Sequence, residues 1–397
     1  MILESVSQPN VVSKTSAAEI LFSASFAIWL VSALLWQSMY AQYIPIFIHY
    51  AVRIICIAIL LLAELVHSKD VRQSVFGLVV LSLLSYLLLR VSYNSLVDVV
   101  FFIFCSRWMR FDDVLKLALV VITATSICIV VSSQIGLIKD YVVYNDIDGI
   151  KHYLGFRYSL YPGVLAFMII AMVFYIRRTV RFVDLLWAIL LLMAVFLLCK
   201  GTLSLILGIC FVAVYFVVSR SSNDSIDSFL WNALPYLFCA VFLASIVLTV
   251  MYGYGSSIAG SVNSLMEGRL ALGNAAIQEY GLSLFGKPLA LIGNGLTVAG
   301  EPHSALLQYN YVDNLYVKML LQCGAIPVSA FLVLTVVSLK RIKAHGDKRL
   351  LVILAFIALW CFIDDLPINL YFDPFLVAFS AAFKTKAEMA RSAVRHL

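Results

Sequence analysis

Two arginines, Arg157 in GFRYSLYPG and Arg269 in EGRLALGNAA, lie in polar segments of a chain otherwise built from apolar runs. A guanidinium presents a planar fork of donors that grips phosphate bidentately, which lysine does not do. Arg269 also stands at the expected start of a helix. A cation there opposes the macrodipole unless an anion binds between it and the free N–H groups. Two such arginines on one face would suit a pyrophosphate; the competing reading for each is a side chain snorkelling to a membrane surface. The carboxylates Asp313, beside Asn314, and Asp364, beside Asp365, could supply a general base. They are equally the kind of residue that ends a helix in water, and Asp313 is expected to be the N-cap of the helix that follows. Glu267 is either such a base or the closing partner of Ser264 in an S-x-x-E capping box. His303, in EPHSALLQY, is a further acid–base candidate. Arg53 falls near the middle of an apolar run and Lys200 between two runs. Ionisable groups at such positions are functional candidates because their desolvation is costly; an ion pair from Arg53 to Glu64 or Asp98 is the structural alternative.

The elements that must position these groups follow from composition. The 397 residues are 63% apolar and only 13% charged, with a mean hydropathy of +0.98, whereas a soluble domain carries about 25% charged residues. Runs of about 20 apolar residues span a bilayer as helices. The expectation is an all-α polytopic integral membrane protein with about 12 transmembrane helices, near 19–39, 44–66, 73–91, 95–107, 114–138, 159–176, 182–199, 202–219, 229–251, 314–339, 350–364 and 367–383. The polar N-terminus and the absence of a small-residue cleavage site argue against a cleavable signal peptide. The 8 cysteines sit in or beside apolar runs, with no CxxC and no histidine cluster, so they read as packing residues.

Lysine and arginine collect on one side of this arrangement, including Lys69, Arg107, Arg177, Arg178, Arg341, Arg349 and the C-terminal Lys386, Arg391 and Arg395. With the positive-inside rule this places both termini in the cytoplasm. The net charge of +6 is thus a topological signal and gives no argument for nucleic acid. The chain divides into an N-terminal helical bundle, 1–251, with an outer loop at 139–159; a large external loop, 252–313; and three spans with a cytoplasmic tail, 314–397. The external loop holds more than half of the 19 glycines, and its Leu, Tyr and Phe content suits a segment folded on the bundle rather than a disordered linker. Its GNG at 293–295 lacks a preceding strand and a following GK[ST], so it reads as tight turns rather than a phosphate loop.

Three stretches together resemble the Wzy-type polysaccharide repeat-unit polymerases, members of the O-antigen ligase and polymerase superfamily. RLALGNAAIQEYGLSLFGKPLALIGNG followed by VDNLYVKMLLQCGAIP resembles the late external loop of that family, in which an arginine and a helix precede "pl-x-G-x-G", a polar Asn or Ser, and "yl-x-x-l-x-x-x-G". KHYLGFRYSLYPG is similar to its first large outer loop, and IDDLPINLYFDPFLVAF to its closing segment. The resemblance implies a glycosyltransferase-C-like membrane enzyme of the bacterial cytoplasmic membrane that needs no metal or other cofactor. Its substrates would be undecaprenyl-pyrophosphate-linked oligosaccharides held in membrane lipid, and a flippase and a chain-length regulator would be its partners. It also implies Arg157 and Arg269 as the pyrophosphate ligands. Two positions depart from the pattern: Asp313-Asn314 stands where many relatives have His-Asn or His-Ser, and Thr202-Leu203-Ser204-Leu205 lacks the arginine of their T-x-S-R segment. The expected function is polymerisation of surface polysaccharide. The alternatives are a ligase that moves finished polymer to an acceptor, and a precursor transporter or flippase; the latter should show paired halves rather than one heavy late loop.

Overall fold

The computed structural model describes residues 10–67, 71–145, 149–220, 228–303 and 307–384. Lys69, Lys386, Arg391 and Arg395, with the rest of the expected tail, lie outside the described residues. The fold is 74% helical. In chain order the helices are α1 (Asn10–Trp36), α2 (Ile46–His67), α3 (Val71–Arg90), α4 (Ser95–Cys105), α5 (Phe111–Gln134), α6 (Tyr161–Arg177), α7 (Phe182–Cys199), α8 (Thr202–Arg220), α9 (Ser228–Ala233), α10 (Leu237–Gly253), α11 (Ser257–Leu265), α12 (Arg269–Tyr280), α13 (Leu315–Gln322), α14 (Ala325–Ala344) and α15 (Lys348–Ile363). Between α5 and α6 a hairpin pairs β1 (Val142–Asn145) antiparallel with β2 (Gly149–His152).

Among the described residues, 7 helices are long and apolar enough to cross a membrane: Ala17–Trp36, Ile46–His67, Phe111–Gln134, Phe182–Cys199, Thr202–Arg220, Trp231–Gly253 and Ala325–Ala344. Several of them expose apolar rows that suit a lipid surroundings, such as Ile54, Leu62 and Leu65 on α2 and Leu186, Leu190 and Leu197 on α7. The chain is therefore a membrane-embedded helical protein. By contrast α6 and α15 are buried on nearly every face, the property of a helix at the centre of a bundle.

Three expected spans differ from the regular helices anticipated. The segment 314–339 is broken at Cys323–Gly324 into α13 and α14. Gly324 takes φ +90° there, and the backbone of Gly286 passes directly against it. Residues 229–251 form α9, a 3₁₀ turn at Leu234–Tyr236 and α10, because Pro235 lacks the N–H that a continuous helix needs. The last segment is 3₁₀ helix over Leu366–Ile368 and Pro374–Phe383, with a proline inside the first turn of each piece.

The external loop carries two helices, α11 and α12, but the expected capping box does not form. Ser264 lies in the last turn of α11 and donates to the Gly260 carbonyl (3.2 Å). Glu267 and Gly268 both adopt left-handed backbone, with φ +53° and +87°, and reverse the chain between α11 and α12. Asn263 does the capping instead: its Oδ1 accepts from the N–H of Ala271 in the first turn of α12 (2.9 Å). The reversal returns Arg269 toward the bundle.

Candidate functional site

α6 begins and α15 ends at one end of the bundle, and both loops fold over that end. Arg157 sits in the link from β2 to α6. Its N–H donates to the Gln37 carbonyl at the end of α1 (3.0 Å), and its own carbonyl accepts from the Leu296 N–H (2.7 Å). The backbone thus ties the early loop to the late one. The side chain is poorly satisfied by comparison. Nη1 reaches the Leu296 carbonyl and Nη2 the Gln37 Oε1, both at 3.4 Å, the weak end of hydrogen bonding. Its Nε is buried with no hydrogen bond, and Arg157 forms no ion pair among the described residues. Burial opposes the guanidinium charge, yet an arginine keeps its proton in proteins. A half-buried cation with unspent donors is suited to receive an anion.

Arg269, the first residue of α12, is buried. Nη1 donates to the Met266 carbonyl (2.9 Å) and to Glu267 Oε2 (3.3 Å). Its Nε makes no hydrogen bond but lies 3.9 Å from Asp313 Oδ2.

Asp313 is not the helix cap. That position belongs to Asn314, whose Oδ1 accepts from the N–H groups of Tyr316 (3.1 Å) and Val317 (3.3 Å) and from Ser245 Oγ (3.0 Å). Asparagine and aspartate cap helices about equally well, and a shift of one residue releases the Asp313 carboxylate into the site. There it accepts from the Tyr309 hydroxyl (3.1 Å). Burial pushes the Asp313 carboxyl up to about 6; Asp365 adds to this, while Arg269, Tyr309 and Lys318 pull it back. Asp364, just past α15, accepts from the Leu366 N–H (3.1 Å). It is buried, with Asp365 and Asp313 nearby.

Tyr158, next to Arg157, is within electrostatic reach of Arg269, Asp313 and Asp364. Tyr161 stands in the same relation to Arg157, Asp364 and Asp365. The two arginines and the acidic pair thus belong to one tyrosine-lined cluster. Lys318, which sequence reasoning placed inside a span without assigning it a role, completes this cluster. Its Nζ bonds Asp365 Oδ2 (2.5 Å) and the Tyr311 hydroxyl (2.7 Å), which itself donates to Asp365 (2.8 Å). The available signal was a lysine four residues after a helix start in an apolar run, where a charge needs a partner.

The remaining candidates separate from the cluster. Arg53 is spent on a structural ion pair with Asp98 (2.6 Å), supported by the Asn94 carbonyl (2.7 Å) and by Trp29 Nε1 on the same carboxylate (2.9 Å). Glu64 pairs instead with Arg107. Lys200 ends α7 in a left-handed conformation, and its side chain makes no hydrogen bond or ion pair among the described residues. His303 is exposed. Glu267 is 57% exposed and reaches only Arg269, which places it at the rim. Among the described residues no three His, Cys, Asp or Glu side chains are grouped to hold a metal. No protein-family model matches the chain, and no curated protein or solved structure is significantly similar to it.

Proposed function

We propose that the chain is a membrane glycosyltransferase that polymerises undecaprenyl-pyrophosphate-linked oligosaccharide repeat units on the outer face of a bacterial cytoplasmic membrane. The observation that carries this reading is Arg157, a half-buried arginine with unspent donors, together with the buried Arg269 that stands beside a carboxylate of raised pKa. An acceptor hydroxyl on one lipid-linked unit attacks the anomeric carbon of another. The new C–O bond forms as the bond to pyrophosphate breaks, and undecaprenyl pyrophosphate departs with the electron pair. Asp313 takes the hydroxyl proton, and Arg157 and Arg269 bind the charge that develops on the leaving group. Preorganised charge of this kind is usually the largest contribution to such catalysis, and a positioned base adds about 10²–10⁴-fold.

In this reading the shorter apolar segments complete a set of twelve spans in a glycosyltransferase-C-like arrangement. Both termini lie in the cytoplasm and residues 252–313 cover the outer face. A flippase would supply substrate and a chain-length regulator would act on product. Deleting the protein should leave single repeat units on the lipid carrier. Full-length but unattached polymer would identify a ligase, and precursor retained on the inner face would identify a flippase; either result overturns the proposal.

A further inference from the structure

We infer that a second cavity, next to Arg157 and outside the charged cluster, is a binding subsite for one monosaccharide ring. It opens between the end of α1 and the starts of α2 and α4, with a volume of about 170 Å³. That is room for a single sugar ring and too little for an oligosaccharide. Gln37 belongs to its wall and joins it to the cluster: its Oε1 accepts from Arg157 and its Nε2 donates to the Tyr371 hydroxyl (3.2 Å).

The lining fits a neutral, hydroxyl-rich ligand. Its formal charges cancel, because Arg53 and Asp98 neutralise one another; an anion or a cation would find no net partner here. Both the Arg53 and the Trp29 hydrogen bonds fall on Asp98 Oδ2, which leaves Oδ1 free to accept from a ligand hydroxyl. His49 lines the cavity with its ring, while its Nδ1 is sealed off without a partner. Ser32 and Ser95 add two hydroxyls. Apart from Ala33, the rest of the wall is aromatic. Trp36 stacks flat on His49 with centroids 4.1 Å apart, and Trp29 and Tyr371 lie 5.9 Å apart. A pyranose has apolar C–H faces and hydroxyl edges, and a cavity of rings with a few fixed polar groups recognises that combination.

This inference rests on the proposed pyrophosphate site, since Gln37 would place the ring beside the phosphate held by Arg157. It adds that the sugar next to the pyrophosphate is read by α1, α2 and α4. The test uses the full chain in lipid nanodiscs, with Ser32→Phe and Ser95→Phe as two independent ways to fill the cavity, each first shown to be monodisperse. The probes are bare undecaprenyl pyrophosphate and the same lipid carrying glucose, galactose or N-acetylglucosamine. The wild type should bind at least one sugar-bearing probe about tenfold more tightly than the bare lipid. The filled variants should lose that advantage and bind the bare lipid unchanged. An advantage that survives in both folded variants, or no advantage for any sugar, overturns the inference. If no pyrophosphate lipid binds at all, it is the Arg157–Arg269 reading that has failed. Methyl glycosides of the same sugars then decide the cavity by tryptophan quenching: quenching lost in the filled variants supports it, and none in the wild type overturns it.

Discussion

Two arginine sites differ in what their donors do. Arg107, in the turn after α4, donates through both terminal nitrogens to Glu64, and Nη1 also meets the Phe104 carbonyl (3.0 Å). Glu64 in turn accepts from Ser74 (2.8 Å) and Trp108 (3.2 Å). Every group there is answered from within the protein. Arg157 has two long contacts and an orphaned Nε, and the Nε of Arg269 faces Asp313 without bonding it. Charge is costly to desolvate in both places. At Arg107 the fold answers every donor, and at Arg269 the nearby Asp313, Asp364 and Glu267 more than offset burial; Arg157 has no carboxylate to do so among the described residues, and that difference marks it as the arginine with most left for a ligand.

The sharpest way to break this contrast is to remove the base and the clamp. Asp313→Asn should lower polymerisation by about 10²–10⁴-fold. Arg269→Lys and Arg157→Lys should each cost about 10²–10³-fold, with the protein still reaching the membrane; product length from purified protein and lipid-linked units measures all three. A fully active Arg269→Lys would remove the clamp from the proposal.

At the satisfied site the expectation inverts. Arg107→Met should destabilise the protein by about 3–5 kcal/mol by stranding Glu64, and Arg107→Met with Glu64→Leu should recover most of that loss, as read by melting in detergent.

A smaller effect is the pH response of Asp313. Its pKa of about 6 lies above the ordinary aspartate value, so the base is available only above pH 6, and activity should fall as pH drops through that point. The same shift means that the folded state holds this proton more tightly than the unfolded chain. Stability from this group is greatest below about pH 4 and declines as pH rises from about 4 to 6. An acidic limb that persists unchanged in the residual activity of Asp313→Asn would assign the titration elsewhere. The least effect belongs to Glu267→Gln. Only the Glu267 side of its pair with Arg269 is exposed, and a pair so open to solvent is worth about 0–1 kcal/mol, so a loss of more than about fivefold would move Glu267 from the rim into the site.

The helical membrane architecture was legible because lipid-facing and buried helices alike leave long apolar runs. Arg157 and Arg269 stood out because charge is scarce, so that an arginine in a polar loop carries information. The remainder depended on packing between distant segments. Arg53 had two carboxylates within plausible reach, and the approach of α2 to α4 selected Asp98. Asp313 and Asn314 are both good caps, and a register of one residue decided which became free. The Lys318–Asp365–Tyr311 triangle joins residues far apart in sequence, with no local pattern to announce it. The S-x-x-E match at Ser264 failed because two left-handed residues follow α11, and only the glycine of that pair signals such a turn.

The crossing of Gly286 and Gly324 has a consequence for how substitutions combine. At this point backbone passes backbone with no side chain between, and the Ala325 and Ile326 N–H groups donate to the Ser283 and Leu284 carbonyls (both 3.0 Å). A methyl group at either glycine would wedge the same two strands of chain apart. The first alanine therefore carries most of the damage, and the second has little left to separate. Gly286→Ala and Gly324→Ala should thus be strongly non-additive, as though the two positions were a single site written twice in the sequence.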